Sequence, residues 1–218
     1  MMQKSDVYYR FSRSEVAALV PAGAQRVLSV GCGAGAMERV LKRRAAEVVG
    51  VEMHGSSAEE AARYLDRVIV GDVEALDLPF EEGHFDCIVY ADVLEHLRDP
   101  CRVLEAHRRL LVDGGKIVIS LPNVRFWSIL RMLVLRGDWA YQPIGLMDET
   151  HLRMFTAKSA HRLILAAGYR VVTFRRKLRL FEQTSRYTRM AQFLAFWGLE
   201  DFLTYQLLFV AEKGLKSG

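Results

Sequence analysis

The chain has few cysteines: Cys32, Cys87 and Cys101 among 218 residues, an odd count with no C-x-x-C pair. Neither a disulfide framework nor a zinc ribbon fits, and a reducing cytoplasm is the compartment this implies. Proline is scarce, with five in all, and no Ser/Gly-rich linker occurs, so one domain over residues 1–218 is expected. There is no internal repeat. The longest charge-free stretches, 190–199 and 202–211, fall short of the roughly 18–20 residues that span a bilayer. The opening MMQKSDVYYR lacks the apolar centre of a signal peptide. Thirty Lys and Arg against 26 Asp and Glu leave only +4, too mild an excess for a non-specific nucleic-acid binder. What is present is an ordinary globular composition. With 51% hydrophobic residues the chain can build a full core, which excludes a disordered or collagen-like protein.

Short apolar runs alternate with helical patterns, the mark of a doubly wound parallel sheet. Strand-like runs occupy 26–30, 47–52, 67–70, 85–91 and 116–121. Each is continuously apolar, as strands covered on both faces must be. Helical spacing follows at 36–44 and 57–65, and again where Val103, Leu104, His107, Leu110 and Leu111 fall on one face. Asp113-Gly114-Gly115 reads as the stop of that helix, and Ser12 or Ser14 as the cap of a short one before Pro21. Thr156 reads as the N-cap of a helix over 157–167 with Gly168 as its left-handed stop. Two late strands, 169–178 and 203–212, flank an apolar helical insert at 185–199, which suits core or a homodimer face. Consecutive late strands suggest an antiparallel pair at the sheet edge.

The first strand runs into Gly31-Cys32-Gly33-Ala34-Gly35 and then a helix. Such a loop lets backbone approach a ligand closely, and the helix start attracts negative charge. The second strand ends in Glu52, about twenty residues on, where a carboxylate accepts from two ribose hydroxyls. Alone, this also fits a dinucleotide fingerprint, and a nicotinamide enzyme stays as an alternative. Asp72 ends the third strand and can accept from an adenine amine, with Met53 and Val73 placed to sandwich the ring. Together these describe an adenosine with a short charged tail.

In order and over nearly the whole chain, VLSVGCGAG (27–35), GVE (50–52), GD (71–72) and FD…DVLEH (85–96) resemble the successive motifs of class I S-adenosylmethionine-dependent methyltransferases. The resemblance implies S-adenosyl-L-methionine as cofactor and a Rossmann-like α/β fold: a doubly wound seven-stranded sheet, mostly parallel with one antiparallel edge strand. It places the methionine carboxylate over the amides of Gly31, Gly33 and Gly35. The ammonium is implied near the carbonyls of Gly31 and Ala91. One departure stands out. The family usually carries Asp or Glu two residues before the first glycine, and here that residue is Ser29.

Downstream, SLPNVRFW (120–127), RGDW (136–139) and GLMDETHLRMFT (145–156) resemble a bacterial subgroup found beside glycosyltransferases in surface-polysaccharide clusters. That likeness implies a saccharide or related small-molecule hydroxyl as acceptor. Removing the hydroxyl proton is work suited to His151, in a polar loop before a helix. Asp92, Glu95 and His96, at i, i+3 and i+4, would share a face if a helix begins at Asp92. With His151 they would offer two carboxylates and two imidazoles to a divalent metal that lowers a hydroxyl's pKa. This set resembles the metal site of methyltransferases acting on the 3′-terminal ribose of small RNAs and of some quinone-ring O-methyltransferases. Residues 123–150, with Phe126, Trp127, Trp139 and Tyr141 among Arg125, Arg131 and Arg136, read as a lid over the acceptor, or as an interfacial helix. Tyr8 and Tyr9 are candidates to close over the cofactor. Two further functions stay open: a non-catalytic S-adenosylmethionine-binding accessory protein, and a metal-assisted RNA ribose 2′-O-methyltransferase.

Overall fold

A computed structural model describes residues 13–182 and 188–214. Tyr8, Tyr9 and Ser12 lie outside them. Seven strands form one sheet: β1 (Arg26–Val30), β2 (Glu47–Glu52), β3 (Arg67–Val70), β4 (Phe85–Ala91), β5 (Leu111–Pro122), β6 (Tyr169–Leu178) and β7 (Thr204–Lys213). Their order is β3-β2-β1-β4-β5-β7-β6. The first five strands pair in parallel, while β7 runs antiparallel between β5 and β6. The late strands thus pair as their sequence spacing suggests, and the fold is the doubly wound class.

Strand alternation sends Leu28 and Val30 to one face and Val27 to the other. Helices α4 (Pro100–Arg108) and α6 (Ala157–Ala166) cover the first face through Val103, Leu104, Ala160 and Ile164. On the second, α1 (Ser14–Ala17), α2 (Glu38–Leu41) and α3 (Gly55–Ala61) contribute Val16, Leu41 and Ala61. Thr156 caps α6 in a capping box with Ser159, and Gly168 follows at φ 82°. By contrast α1 starts after Arg13 with no side-chain cap, so Ser14 opens that helix without capping it.

Asp113, Gly114 and Gly115 do not stop a helix. Helix α4 ends at Arg108, and the chain is already extended at Leu111, which pairs with Phe85 across a register shift. Beyond β5, α5 (Trp127–Arg136) packs through Phe126 and Ile129 on Leu146 and Met147 as a small separate core. The late insert forms α7 (Thr188–Leu194), a π-helical stretch and α8 (Glu200–Leu203). Its Phe193, Phe196 and Trp197 are exposed, so that part is surface rather than core. Among the described residues no helix is long and apolar enough to cross a membrane.

Candidate active site

Strand order reverses between β1 and β4, and the site builds up at the carboxyl ends of β1, β2, β3 and β4 around that point. Gly31, Gly33 and Gly35 all take left-handed φ, at 69°, 54° and 77°. A Cβ on Gly31 would stand 2.5 Å from Cγ2 of Val93, so the turn admits only glycine. The amides of Gly31 and Cys32 donate to the Val51 carbonyl at 2.7 and 3.2 Å, tying the loop to β2.

Glu52 is 5% exposed and clamps the same loop. Its Oε2 accepts from the Gly33 amide at 2.8 Å and its Oε1 from the His54 amide at 2.9 Å. Two oxygens with about four lone-pair positions retain acceptor capacity beyond those two bonds. The Glu52 carbonyl in turn accepts from the Gly71 amide at 2.9 Å, which fixes the turn bearing Asp72 and Val73. Asp72 is exposed and accepts from the Glu74 amide, Val73 is half-buried, and Met53 stands out at 61% exposure. Ala91 ends β4, on the other side of β1. Three adjacent strand ends therefore offer carboxylates to hydroxyls or an amine and an exposed apolar side chain to a ring, while the amides of Gly31, Gly33 and Gly35, expected under a carboxylate, already donate to Val51, Glu52 and Cys32. Those acceptors and that apolar side chain fit S-adenosylmethionine.

Sequence reasoning missed a partner of the loop. The Ser29 hydroxyl donates to Oε1 of Glu38 at 2.5 Å, and Glu38 is only 2% exposed. Burial pushes its carboxyl up to about 7, while the Ser29 bond pulls it down and the charge of Glu52 adds to the rise. The available signal was an acid one position after Met37 and three before Leu41, on a face otherwise apolar.

On the acceptor side the four candidates do not stay together. Asp92 adopts φ 56°, and only a 3₁₀ turn, Leu94–His96, follows. Its Oδ1 accepts from Ser120 Oγ and from Gln206 Nε2, each at 2.9 Å, and its carboxylate pairs with Arg13. Asp92 therefore faces β5 and β7. The shared helix face with Glu95 and His96 is corrected: long-range acceptor bonds and a left-handed turn, which Asp tolerates, replace the helix.

The other three do converge. Glu95 is fully buried, and its Oε1 lies 4.0 Å from His151 Nε2. The His96 and His151 rings meet edge to face with centroids 4.7 Å apart. One ligand atom from each of Glu95, His96 and His151 falls within 4.8 Å of the others. The His151 loop is held against the 3₁₀ turn by amides of Leu152 and Arg153, which donate to the Glu95 carbonyl at 2.8 and 2.9 Å. His151 Nδ1 lies 3.2 Å from the Leu146 carbonyl. A carbonyl only accepts, so Nδ1 carries the proton and Nε2 the basic lone pair. His96 Nδ1 is oriented the same way by the carbonyl of Thr150, whose hydroxyl donates to the buried Asp148. Asp148 and Thr150 are further site residues that sequence reasoning did not single out. Burial lifts the Glu95 carboxyl well above the usual carboxylate range, and the Asp92 charge adds to it.

The family described as methyltransferase domain matches residues 6–173. The chain belongs to the S-adenosylmethionine-dependent methyltransferases. It is 30% identical over 105 residues to the ubiquinone biosynthesis O-methyltransferase of Acinetobacter baylyi, covering 45% of this chain and 44% of that one. The chain spans about half the length of the curated relatives it matches. Among solved structures, a Haloferax volcanii methyltransferase chain in complex with the activator Trm112 superposes with TM-score 0.69 at 16% identity, covering 97% of this chain and 91% of that one. An S-adenosylmethionine-dependent methyltransferase from Mesorhizobium loti superposes with TM-score 0.65 at 18% identity, covering 92% and 96%. At such identities the two structures share the fold.

The 142–151 segment links the histidine to a groove of about 650 Å³. The groove is lined by Phe126, Trp127, Arg131, Gln142 and Phe181, with Ser128 and Glu182. The Gln142 amide donates to the Met147 carbonyl at 2.7 Å, and Trp127 Nε1 to Leu180 at 2.7 Å. The first bond fixes the Gln142 side of the groove and the second ties the Trp127 ring to the chain just before Phe181.

Proposed function

We propose that this chain transfers a methyl group from S-adenosylmethionine to a hydroxyl of a small ring-bearing molecule, with His151 as the general base. The observation that carries the reading is the fixed tautomer of His151, whose Nε2 lone pair sits beside a buried carboxyl. When bound, the cofactor supplies an electrophilic methyl on its sulfonium, so the protein's tasks are alignment of the acceptor and removal of its proton. The loop of Gly31, Gly33 and Gly35 leaves room for the carboxylate end to approach the backbone, Glu52 takes the ribose, and Asp72 with Met53 and Val73 the base. Ala91 closes the site from β4.

Burial holds the Glu95 carboxyl beside Nε2 toward its neutral, protonated form. Nε2 therefore keeps its lone pair and takes the acceptor O–H proton, while Nδ1 keeps its own proton on the Leu146 carbonyl. Loss of that proton would leave the acceptor oxygen the electron pair for a new O–CH3 bond, and the bound donor would supply the methyl and take back the C–S electron pair as a neutral thioether. The aromatic groove suits stacking on a ring. A curated relative named for ubiquinone biosynthesis supports a phenolic ring, and the 145–156 motif a sugar.

A second reading has support in the same cluster. Glu95, His96 and His151 are donors a divalent cation accepts, with the cation polarising the hydroxyl in place of a base. The first reading is tested by incubating the protein with the methyl donor and a panel of phenols and glycosides, with mass spectrometry for a gain of one methyl. Methylation at an oxygen supports it. A protein that binds the donor, methylates no member of the panel and is unaffected by loss of His151 sinks it in favour of a non-catalytic binding role.

A further inference from the structure

Beneath the glycine loop sits a carboxylate that folding alone does not explain. Glu38 opens α2, where an acid normally points to solvent, yet its side chain turns inward and is 2% exposed. Its neighbours on that face, Met37 and Leu41, belong to the apolar core. A buried acid is costly unless both oxygens are bonded. Only Oε1 is bonded, by the Ser29 hydroxyl, whereas Oε2 is buried with no donor. Among the described residues, the titratable groups whose charge bears on Glu38 or is affected by it are Glu52 and Cys32, and neither is a cation. An apolar side chain would satisfy packing better.

The location supplies a reason. Ser29 lies two residues before Gly31 and Glu38 three after Gly35, so the pair brackets the loop from below. Ser29 donates its one proton to Glu38, which leaves its lone pairs to accept from a donor above it. With Ser29 only 1% exposed, little water screens the carboxylate from the loop. What this buried carboxylate lacks is a positively charged N–H donor among the described residues. We infer that Glu38, acting through Ser29, is a positioning residue for the α-ammonium of the methyl donor, and that the carboxylate missing from β1 is carried by α2 instead. The inference rests on the methyl-donor reading above.

The test is calorimetric titration of the full chain with S-adenosylhomocysteine and with the same molecule lacking only its α-amino group. Glu38→Gln keeps the volume and the Ser29 bond but removes the charge. It is expected to weaken S-adenosylhomocysteine about tenfold or more, as for loss of a charge-assisted contact, and to leave the deaminated ligand within about threefold. Adding Ser29→Asp to that variant returns a carboxylate to β1 and is expected to restore most of the loss. Ligand-free melting curves verify folding, and if Glu38→Gln does not fold, Ser29→Ala is expected to show the same selective loss. Equal weakening of both ligands, or no weakening of either, overturns the inference while leaving the methyl-donor reading intact. Wild-type protein that binds neither ligand overturns both.

Discussion

His151 Nε2 lies 4.0 Å from Glu95 Oε1, and neither residue is more than 8% exposed. Burial holds the Glu95 carboxyl toward its neutral form beside an imidazole of fixed tautomer, which suits proton abstraction better than ion-pair stabilisation. His151→Ala should lower kcat by about 10²-fold or more while S-adenosylhomocysteine affinity, read by calorimetry, stays put. Glu95→Gln keeps a neutral side chain of the same shape and should cost no more than a few-fold in kcat. A Glu95→Gln loss as deep as that of His151→Ala means the carboxylate form is needed and contradicts the base assignment.

Chelation separates the base from the cation in the same cluster. If Nε2 works as a base, activity after treatment with EDTA and dialysis should match the untreated enzyme. Loss on chelation with recovery in Mn²⁺ would move Glu95, His96 and His151 to the role of ligands, and Glu95→Gln should then fail as well. The two measurements must agree, which makes either reading vulnerable.

Gly31 offers a test of the loop that involves no chemistry. Alanine there must hold φ near 69° and place its Cβ 2.5 Å from Val93 Cγ2. Strain and overlap together should cost about 2 kcal/mol or more, seen as a lower midpoint in urea unfolding. Val93→Ala removes the overlap but not the backbone strain. The double variant should therefore be more stable than the sum of the single effects allows. Strict additivity would show that Val93 does not close on the loop.

Where local pattern decides structure, the sequence was readable. Strands β1, β2 and β4 occupy the apolar runs 26–30, 47–52 and 85–91, since strands covered on both faces tolerate little else, and the edge strand β3 fills 67–70 although none of its residues is fully buried. Asp92 shows the opposite case. Its spacing to Glu95 and His96 suits a helix, but its acceptor oxygens answer to Ser120 and Gln206, 28 and 114 residues away. Asp113-Gly114-Gly115 failed as a helix stop for a related reason, because Leu111 finds a strand partner in Phe85 before any helix needs stopping. Glu38 was invisible as a site residue because an acid in a first helical turn is usually dipole complement at the surface. Only its inward orientation makes it unusual.

That orientation has a consequence for pH. The folded-state pKa of Glu38 is raised to about 7 from an ordinary 4.5, because burial penalises the charge. Between those values the folded chain holds a proton that the unfolded chain has lost, so this group subtracts stability as pH rises through the window. His107, buried and stacked near Tyr90 with Nδ1 2.9 Å from its hydroxyl, behaves oppositely. Burial lowers its pKa to about 4 from 6.5, so it contributes stability above pH 6.5 that is lost as pH falls toward 4. Over the overlap the two slopes offset. Glu38→Gln should remove one of them: its melting temperature should equal that of wild type near pH 4 and exceed it increasingly toward pH 8. The gain at the upper end should be on the order of 1–3 kcal/mol in stability. In the variant, acidification from pH 6.5 should then expose the His107 loss that Glu38 masks. Parallel melting curves for the two proteins across this range would mean that Glu38 ionises as an ordinary surface acid, which its 2% exposure contradicts.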